Sequence, residues 1–305
     1  MARCFVTRRL PGPALGRLAE VHEVEVWEQR LPPTPSELVR HAADADGLLT
    51  LLTDRIDAAL IDACPQLKTI SNYAVGFDNI DLEAATRRGI TVGNTPDVLT
   101  DATADLTFVL LLAAARKLPE ATRAVTDGDW VPWEPARHLG AEVRGATLGI
   151  VGLGRIGKAV AQRADGFDMR VVSARSSDQI DGLLRESDFV SLHVPLTPVT
   201  HHLIDADALA KMRPTAILIN TARGPIVDQV ALKAALEQGT IAGAALDVTD
   251  PEPLPPDDPL LSAPNLFVTP HIGSATRATR ERMADIAVDN LLAGLEGRPL
   301  PHQAN

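Results

Sequence analysis

A glycine-rich turn between an apolar run and a helical stretch constrains the fold of this chain most strongly. The turn reads Gly-Leu-Gly-Arg-Ile-Gly over residues 152–157, follows the apolar residues 147–151 and opens the helical stretch 158–165. In such a turn one glycine allows the tight bend, one admits a pyrophosphate against the main chain, and one lets the helix pack on the strand. The amides at the helix start can then bind phosphate. The spacing predicts a dinucleotide-binding domain, and a purely structural turn is the alternative.

Short apolar runs alternate with helical stretches on both sides of this turn, which is typical of parallel βαβ units. The predicted strands are residues 4–7, 23–27, 47–51, 69–72 and 91–92 before the turn, and residues 147–151, 169–173, 189–194, 216–220, 244–248 and 266–269 from the turn onward. Two such series predict an α/β protein with two Rossmann-like or flavodoxin-like parallel-sheet domains. We expect an active-site cleft between the domains, because ligands of these sheets bind at the carboxyl ends of the strands.

The length of 305 residues agrees with two domains, since single cores usually stop growing near ~250 to 300 residues. An apolar helix predicted at residues 102–118, preceded by cap-type residues, is expected to connect them, and a helix at 277–295 to return to the first. The prediction is a substrate-binding domain of residues 1–98 and 275–305, and a dinucleotide-binding domain of residues 99–274.

Composition narrows the class of protein further. The formal net charge is −11, which provides no field to attract nucleic acid or anionic lipid. The longest apolar stretch, residues 106–115, is much shorter than the ~20 residues of a membrane span. With two cysteines and no apolar export signal at the start, we expect a cytoplasmic protein without nucleic-acid or membrane partners.

The residues after the predicted strand 169–173 bear on the form of the cofactor. A carboxylate at this strand end would bind the ribose 2′-hydroxyl of NAD, but Arg175 follows instead, between Ser173 and Ser176. A guanidinium fork flanked by hydroxyls matches a 2′-phosphate. The sequence therefore favours NADP(H), with NAD(H) and a merely solvated turn as alternatives. Only ten residues lie between Ser177 and Asp188, room for one short helix, so the usual next edge strand is predicted to be missing.

Three motifs follow the later predicted strands: Asn-Thr-Ala-Arg-Gly at 220–224, Asp-Val-Thr-Asp-Pro-Glu-Pro at 247–253 and Thr-Pro-His-Ile-Gly-Ser at 269–274. With the glycine-rich turn and Asn-Tyr-Ala-Val-Gly-Phe-Asp-Asn-Ile-Asp at 72–81, they make nearly the whole chain resemble the D-isomer-specific 2-hydroxyacid dehydrogenases. Within that family, the ending at 290–295 and the Arg-bearing turn look most like glyoxylate/hydroxypyruvate reductases.

The resemblance implies reduction of a small 2-oxo acid to a D-2-hydroxy acid. Hydride addition builds negative charge on oxygen, so a proton donor is required, and His271 fits this role. Glu252 would orient and stabilise the imidazolium. Arg223 would bind the substrate carboxylate and polarise the carbonyl, together with the main-chain amides of Val75 and Gly76.

The resemblance also implies cofactor-binding residues and a homodimer, and we assign no metal ligands. The cofactor residues are Thr103, Gly152, Gly154, Arg155, Ile156, Gly157, Ser173, Arg175, Ser176, Val194, Pro195, Thr200, Thr221, Ala222, Arg223, Asp247, His271, Gly273 and Ser274. Trp130 and Trp133 lie where this family dimerises, and Trp133 is expected to reach the partner's active-site mouth, unless both are core aromatics.

Two other functions share these residues. Phosphite dehydrogenase resembles the chain in the same motifs, with the same Arg, Glu and His. Formate dehydrogenase fits less well, because its histidine is partnered by an amide where this chain has Glu252. A dehydrogenase-like regulator that binds the dinucleotide and signals by dimerising is the alternative from a different class, and the intact catalytic set argues against it.

Overall fold

The structure is a computed structural model that describes residues 1–174 and 176–305, with only the main chain of Ser177 and Asp178. The chain divides into two compact units. The terminal unit consists of Met1–Leu99 and Ser274–Asn305, and the central unit of Thr100–Gly273.

Strands and helices alternate through both units. The strands are β1 Arg3–Val6, β2 Glu23–Val26, β3 Gly47–Thr50, β4 Thr69–Asn72, β5 Thr91–Gly93, β6 Thr147–Val151, β7 Arg170–Ala174, β8 Phe189–Leu192, β9 Ile217–Asn220, β10 Gly243–Leu246 and β11 Leu266–Val268. The helices are α1 Ala14–Ala19, α2 Pro35–Ala42, α3 Ala58–Ala63, α4 Leu82–Arg87, α5 Thr100–Ala115, α6 Leu118–Thr126, α7 Arg155–Ala164, α8 Ser177–Glu186, α9 Ala206–Lys211, α10 Gln229–Glu237 and α11 Arg277–Leu295. Three short 3-10 helices are Asp165–Phe167, Gly224–Ile226 and Pro259–Ser262.

The terminal unit contains a parallel sheet in the order β2-β1-β3-β4-β5. This is the flavodoxin-like order. Apolar side chains of α1 and α11 pack on one face, and those of α2, α3 and α4 pack on the other. Because both faces are covered, the inner strands β3 and β4 are buried along their whole length, whereas the edge strand β2 alternates glutamate and valine.

The central unit contains a parallel sheet in the order β11-β10-β9-β8-β6-β7. In the described residues β7 lies at the edge of the sheet, and α8 leads from it directly to β8. The predicted loss of the next edge strand is therefore confirmed, as are the two parallel-sheet α/β domains.

The ends of several elements differ from the sequence-based prediction. The helix predicted at 102–118 begins at Thr100 and stops at Ala115, because Lys117 adopts a left-handed conformation with φ of 50°. A new helix, α6, then starts with Pro119 in its first turn, where proline is well tolerated. The strand predicted at 189–194 ends at Leu192. Strand ends depend on ladder hydrogen bonds, which an apolar run alone does not specify.

Among the helices of the described residues, none combines the length and the apolar composition needed to cross a membrane.

Candidate active site

His271 and Glu252 form a hydrogen-bonded pair in the central unit. His271 lies three residues beyond the end of β11, and its Nδ1 pairs with Oε1 of Glu252. The two side chains are 23% and 31% exposed, so a small molecule can reach the pair while most of its surface is shielded from water. With Nδ1 engaged by the carboxylate, Nε2 is the nitrogen directed away from Glu252 and suited to exchange a proton.

Asp247 fixes the loop that carries His271. Its carboxylate accepts hydrogen bonds from Thr269 Oγ1 at 2.6 Å and from the amides of Ile272 and Gly273, each at 2.8 Å. Its carbonyl oxygen accepts the His271 amide at 2.9 Å. The backbone of His271 is thereby held in a left-handed conformation, with φ of 52°. Burial raises the pKa of the Asp247 carboxyl.

The loop that carries Glu252 is held by two side chains that the sequence did not single out. Gln229, at the start of α10, bonds both main-chain groups of Asp250: its Oε1 accepts the amide at 2.9 Å, and its Nε2 donates to the carbonyl. Thr249 Oγ1 donates to the carbonyl oxygen of Pro251 at 2.9 Å. Glu252 thus projects from a loop that is exposed to solvent but anchored by these hydrogen bonds.

Arg223 begins a tight turn after β9. The side chain of Asn220 closes this turn, since its Nδ2 donates to the Arg223 carbonyl at 2.8 Å and its Oδ1 accepts the Ala222 amide at 3.0 Å. A Cβ on Gly224 would lie 2.0 Å from the carbonyl oxygen of Thr249, so only glycine fits there. This contact brings the Arg223 turn against the segment that leads to Glu252.

The glycine-rich turn has the geometry that a dinucleotide needs. Gly152 has φ of 96°, and a Cβ on Gly157 would lie 2.2 Å from the Gly152 carbonyl oxygen. Gly154 caps α7, and the space beside its Cα is open. A Cβ there would meet none of the described atoms within 4 Å. The residues present therefore fit a pyrophosphate bound at the start of α7.

Other predicted cofactor residues of the central unit belong to, or contact, the loops that follow the carboxyl ends of its strands. Thr103 of α5 lies within 3.4 Å of the position of a Cβ on Gly273, and Thr107 bonds the Thr221 hydroxyl at 3.0 Å. Thr200 Oγ1 donates to the Pro195 carbonyl at 2.7 Å and so shapes the loop after β8.

The residues predicted to select the cofactor form are only partly described. Ser173 in β7 and Ser176 before α8 are exposed. Arg175 lies outside the described residues, so the structure does not bear on its predicted contact with a 2′-phosphate. Ser274 belongs to the terminal unit.

Trp130 and Trp133 are 77% and 87% exposed in the chain. The alternative that they are core aromatics is therefore wrong, because neither ring is covered by its own chain.

The fold and the glycine-rich turn define a dinucleotide-binding α/β protein with a His–Glu pair. Residues 108–273 match the D-isomer specific 2-hydroxyacid dehydrogenase, NAD binding domain. The chain belongs to the D-isomer-specific 2-hydroxyacid dehydrogenase family, as its motifs predicted, and its central unit contains the domain that binds a nicotinamide dinucleotide.

Relatives match over nearly the full length. A glyoxylate reductase of Korarchaeum cryptofilum is 50% identical over 317 residues, covering 99% of this chain and 96% of the relative. The crystal structure of a Thermus thermophilus protein has a TM-score of 0.94 at 52% identity, covering 99% and 100% of the two chains. An NADPH-dependent glyoxylate/hydroxypyruvate reductase from Sinorhizobium meliloti, solved with NADP and malonate, has a TM-score of 0.85 at 35% identity, covering 99% and 96%.

Proposed function

We propose that this protein reduces a small 2-oxo acid of the glyoxylate or hydroxypyruvate type to the D-2-hydroxy acid. The observation that carries the proposal is the His271–Glu252 pair, which follows the carboxyl ends of β10 and β11 in the same unit as a glycine-rich turn shaped for a dinucleotide. The relatives named glyoxylate reductase support it.

The chemistry follows from the charge that develops on the substrate. The bound dinucleotide supplies the hydride. As negative charge grows on the carbonyl oxygen, protonated His271 donates a proton from Nε2. Glu252, bonded to Nδ1, orients the ring and stabilises its positive charge. Asp247 keeps the imidazole in place through the backbone of its loop.

Arg223 is the proposed ligand of the substrate carboxylate. Its guanidinium can bind a carboxylate with two parallel hydrogen bonds and polarise the neighbouring carbonyl. Local positive charge matters here because the protein as a whole carries −11 and does not attract anions. The Asn220 side chain and the Gly224 contact fix the turn from which Arg223 projects.

NADP(H) is the proposed preferred cofactor, on the strength of Arg175 between Ser173 and Ser176 in the sequence. The test is kcat/KM for NADPH and for NADH in the native protein and in Arg175→Ala. We expect the native preference for NADPH to disappear in the variant. A 2′-phosphate that changes KM less than threefold in the native protein would instead indicate a solvated turn.

The reaction itself is tested with glyoxylate, hydroxypyruvate and pyruvate, each with NADPH and with NADH. Oxidation of the reduced cofactor by at least one 2-oxo acid is expected. Phosphite-dependent reduction of NADP⁺ without 2-oxo acid turnover would favour a phosphite dehydrogenase. Tight NADPH binding with no turnover would favour a dinucleotide-sensing regulator.

A cytoplasmic homodimer formed through the segment around Trp130 and Trp133 is part of the proposal. Two exposed tryptophans close in sequence, with exposed Val131 and Leu139 nearby, are typical of a surface that another chain covers. Sedimentation of the native protein should give a dimer. Trp133→Ala should raise KM or dissociate the dimer, and a variant with unchanged KM and unchanged mass would refute this role.

A further inference from the structure

Three successive carbonyl groups in the loop after β4 are bound from the interior of the terminal unit. The Ala74 carbonyl accepts the amide of Thr95 at 2.8 Å. The Val75 carbonyl accepts Nδ2 of Asn94 at 2.7 Å. The Gly76 carbonyl accepts Nδ2 of Asn72 at 2.8 Å. Three donors from two neighbouring strand ends therefore fix three consecutive peptide planes.

The direction of these carbonyls determines the direction of the amides. In a trans peptide the C=O of one residue and the N–H of the next point in opposite directions. The N–H groups of Val75, Gly76 and Phe77 must therefore point away from the donors that bind the three carbonyls. Within the described residues, none of these amides has a hydrogen-bond partner. Successive outward amides of this kind form a concave anion-binding nest.

The two asparagines are themselves held in one orientation. Asn72 is fully buried, its Oδ1 accepts from Thr50 Oγ1 at 3.2 Å, and its Nδ2 also reaches Oδ1 of Asn79 at 3.2 Å. Each side-chain polar atom of Asn72 is used, so the amide cannot flip without losing bonds.

Asn94 is held through its main chain by residues 290 and 302. Its amide donates to the His302 carbonyl at 3.1 Å, and its carbonyl accepts Nδ2 of Asn290 at 2.9 Å. Oδ1 of Asn290 accepts the His302 amide at 3.0 Å, so Asn94, Asn290 and His302 are bonded to one another. The last residues of the chain thus determine where the side chain of Asn94 stands.

We propose that Asn94 and Asn72 are positioning residues that orient three main-chain amides, of Val75, Gly76 and Phe77, toward the carboxylate of the substrate. The inference rests on the proposed function and adds Phe77 as a donor to the substrate carboxylate. Because His302 helps to hold Asn94, the segment after α11 also supports substrate binding. Neither asparagine touches the substrate. Each acts by fixing the peptide plane whose carbonyl it binds.

The test is Asn94→Ala, measured by KM for glyoxylate, the inhibition constant of oxamate, kcat, and the dissociation constant of NADPH. The substitution keeps the main-chain bonds to His302 and Asn290 but removes the donor to the Val75 carbonyl. We expect KM and the oxamate constant to rise on the order of tenfold, with kcat within about threefold and NADPH binding unchanged. Asn72→Ser should act in the same direction and serves if Asn94→Ala does not fold.

The matched control is Ser71→Ala. Ser71 is fully buried in β4, and its hydroxyl donates to the Ala287 carbonyl at 2.8 Å, so its loss lowers stability without touching the loop. Its KM and oxamate constant should stay at native values. Native constants in a folded asparagine variant, or an equal rise in Ser71→Ala, would overturn the inference. A native protein that reduces no 2-oxo acid would instead refute the proposed function, and the inference with it.

Discussion

The two units contribute sites of different chemical kinds. In the central unit the reactive groups are side chains, namely His271, Glu252 and Arg223, and hydrogen bonds from Asp247, Gln229 and Asn220 fix the loops that carry them. In the loop after β4 of the terminal unit, the proposed ligands are main-chain amides, which exist in every residue except proline. A side-chain site is recognisable from residue type. A main-chain site has no residue type of its own: the family resemblance of residues 72–81 implied the amides of Val75 and Gly76, and the bound carbonyls add that of Phe77.

Removing the side-chain chemistry should have the largest effect. His271→Ala should lower kcat by roughly 10²–10⁴-fold, because no other group replaces its proton transfer. Steady-state kinetics with saturating NADPH measure the loss. Near-native turnover of the variant would show that His271 is not the proton donor.

The charge of Glu252 should have the next largest effect. Glu252→Gln keeps an acceptor for Nδ1 but not the negative charge that stabilises the imidazolium. A charge-assisted bond of about 1.5–3 kcal/mol corresponds to a loss in kcat of about 10-fold to 160-fold. Asp250→Asn is the matched control, since it removes a neighbouring exposed charge. Equal losses in both variants would mean that loop charge, not the pair, is responsible.

Loosening the support of His271 should have a smaller effect. In Asp247→Asn, an amide NH₂ would face donors at Thr269, Ile272 or Gly273. We expect about 1–3 kcal/mol lower stability and roughly tenfold lower kcat. Chemical denaturation and kinetics measure both. A stability loss with native kcat would show that the loop does not need this anchor for catalysis.

The smallest effect concerns pH and stability rather than turnover. Burial lowers the pKa of His193 from 6.5 to about 4. Between these values the unfolded chain binds a proton that the folded chain does not, so stability should fall as pH decreases from 6.5 toward 4. When the pH is lowered from 7 to 5, the free energy of unfolding of His193→Gln should fall by about 2 kcal/mol less than that of the native protein. Urea unfolding at both pH values measures this difference. An equal loss of stability in the native protein and in His193→Gln would contradict the prediction.

Much of the central unit could be predicted from sequence, because its signals are local. The glycine-rich turn and the interval between Ser177 and Asp188 predicted the dinucleotide fold and the missing edge strand, which the sheet order bears out. The supports of the site could not be predicted in this way. Asn94 lies 19 residues from Val75, and Gln229 lies 21 residues from Asp250, so only the folded chain brings these pairs together.

The terminal unit gave weaker signals at the positions that matter for binding. Residues 74–77 carry no unusual side chain, and the bonds of Asn290 to residues 94 and 302 join parts of the chain that are far apart in sequence. In the central unit, the break between α5 and α6 was also not predicted, because a left-handed lysine has no sequence signature comparable to that of glycine.

The sheet of the central unit ends at β7 in the described residues, and an exposed sheet edge favours aggregation. With no further strand beside it in the described residues, β7 offers a row of main-chain donors and acceptors to any extended chain that approaches, and such borders are common starting points of aggregation. β7 is only five residues long, and at its exposed start Arg170 pairs with Glu186 at 2.6 Å. A short, charged edge strand of this kind disfavours pairing with a strand of a second molecule.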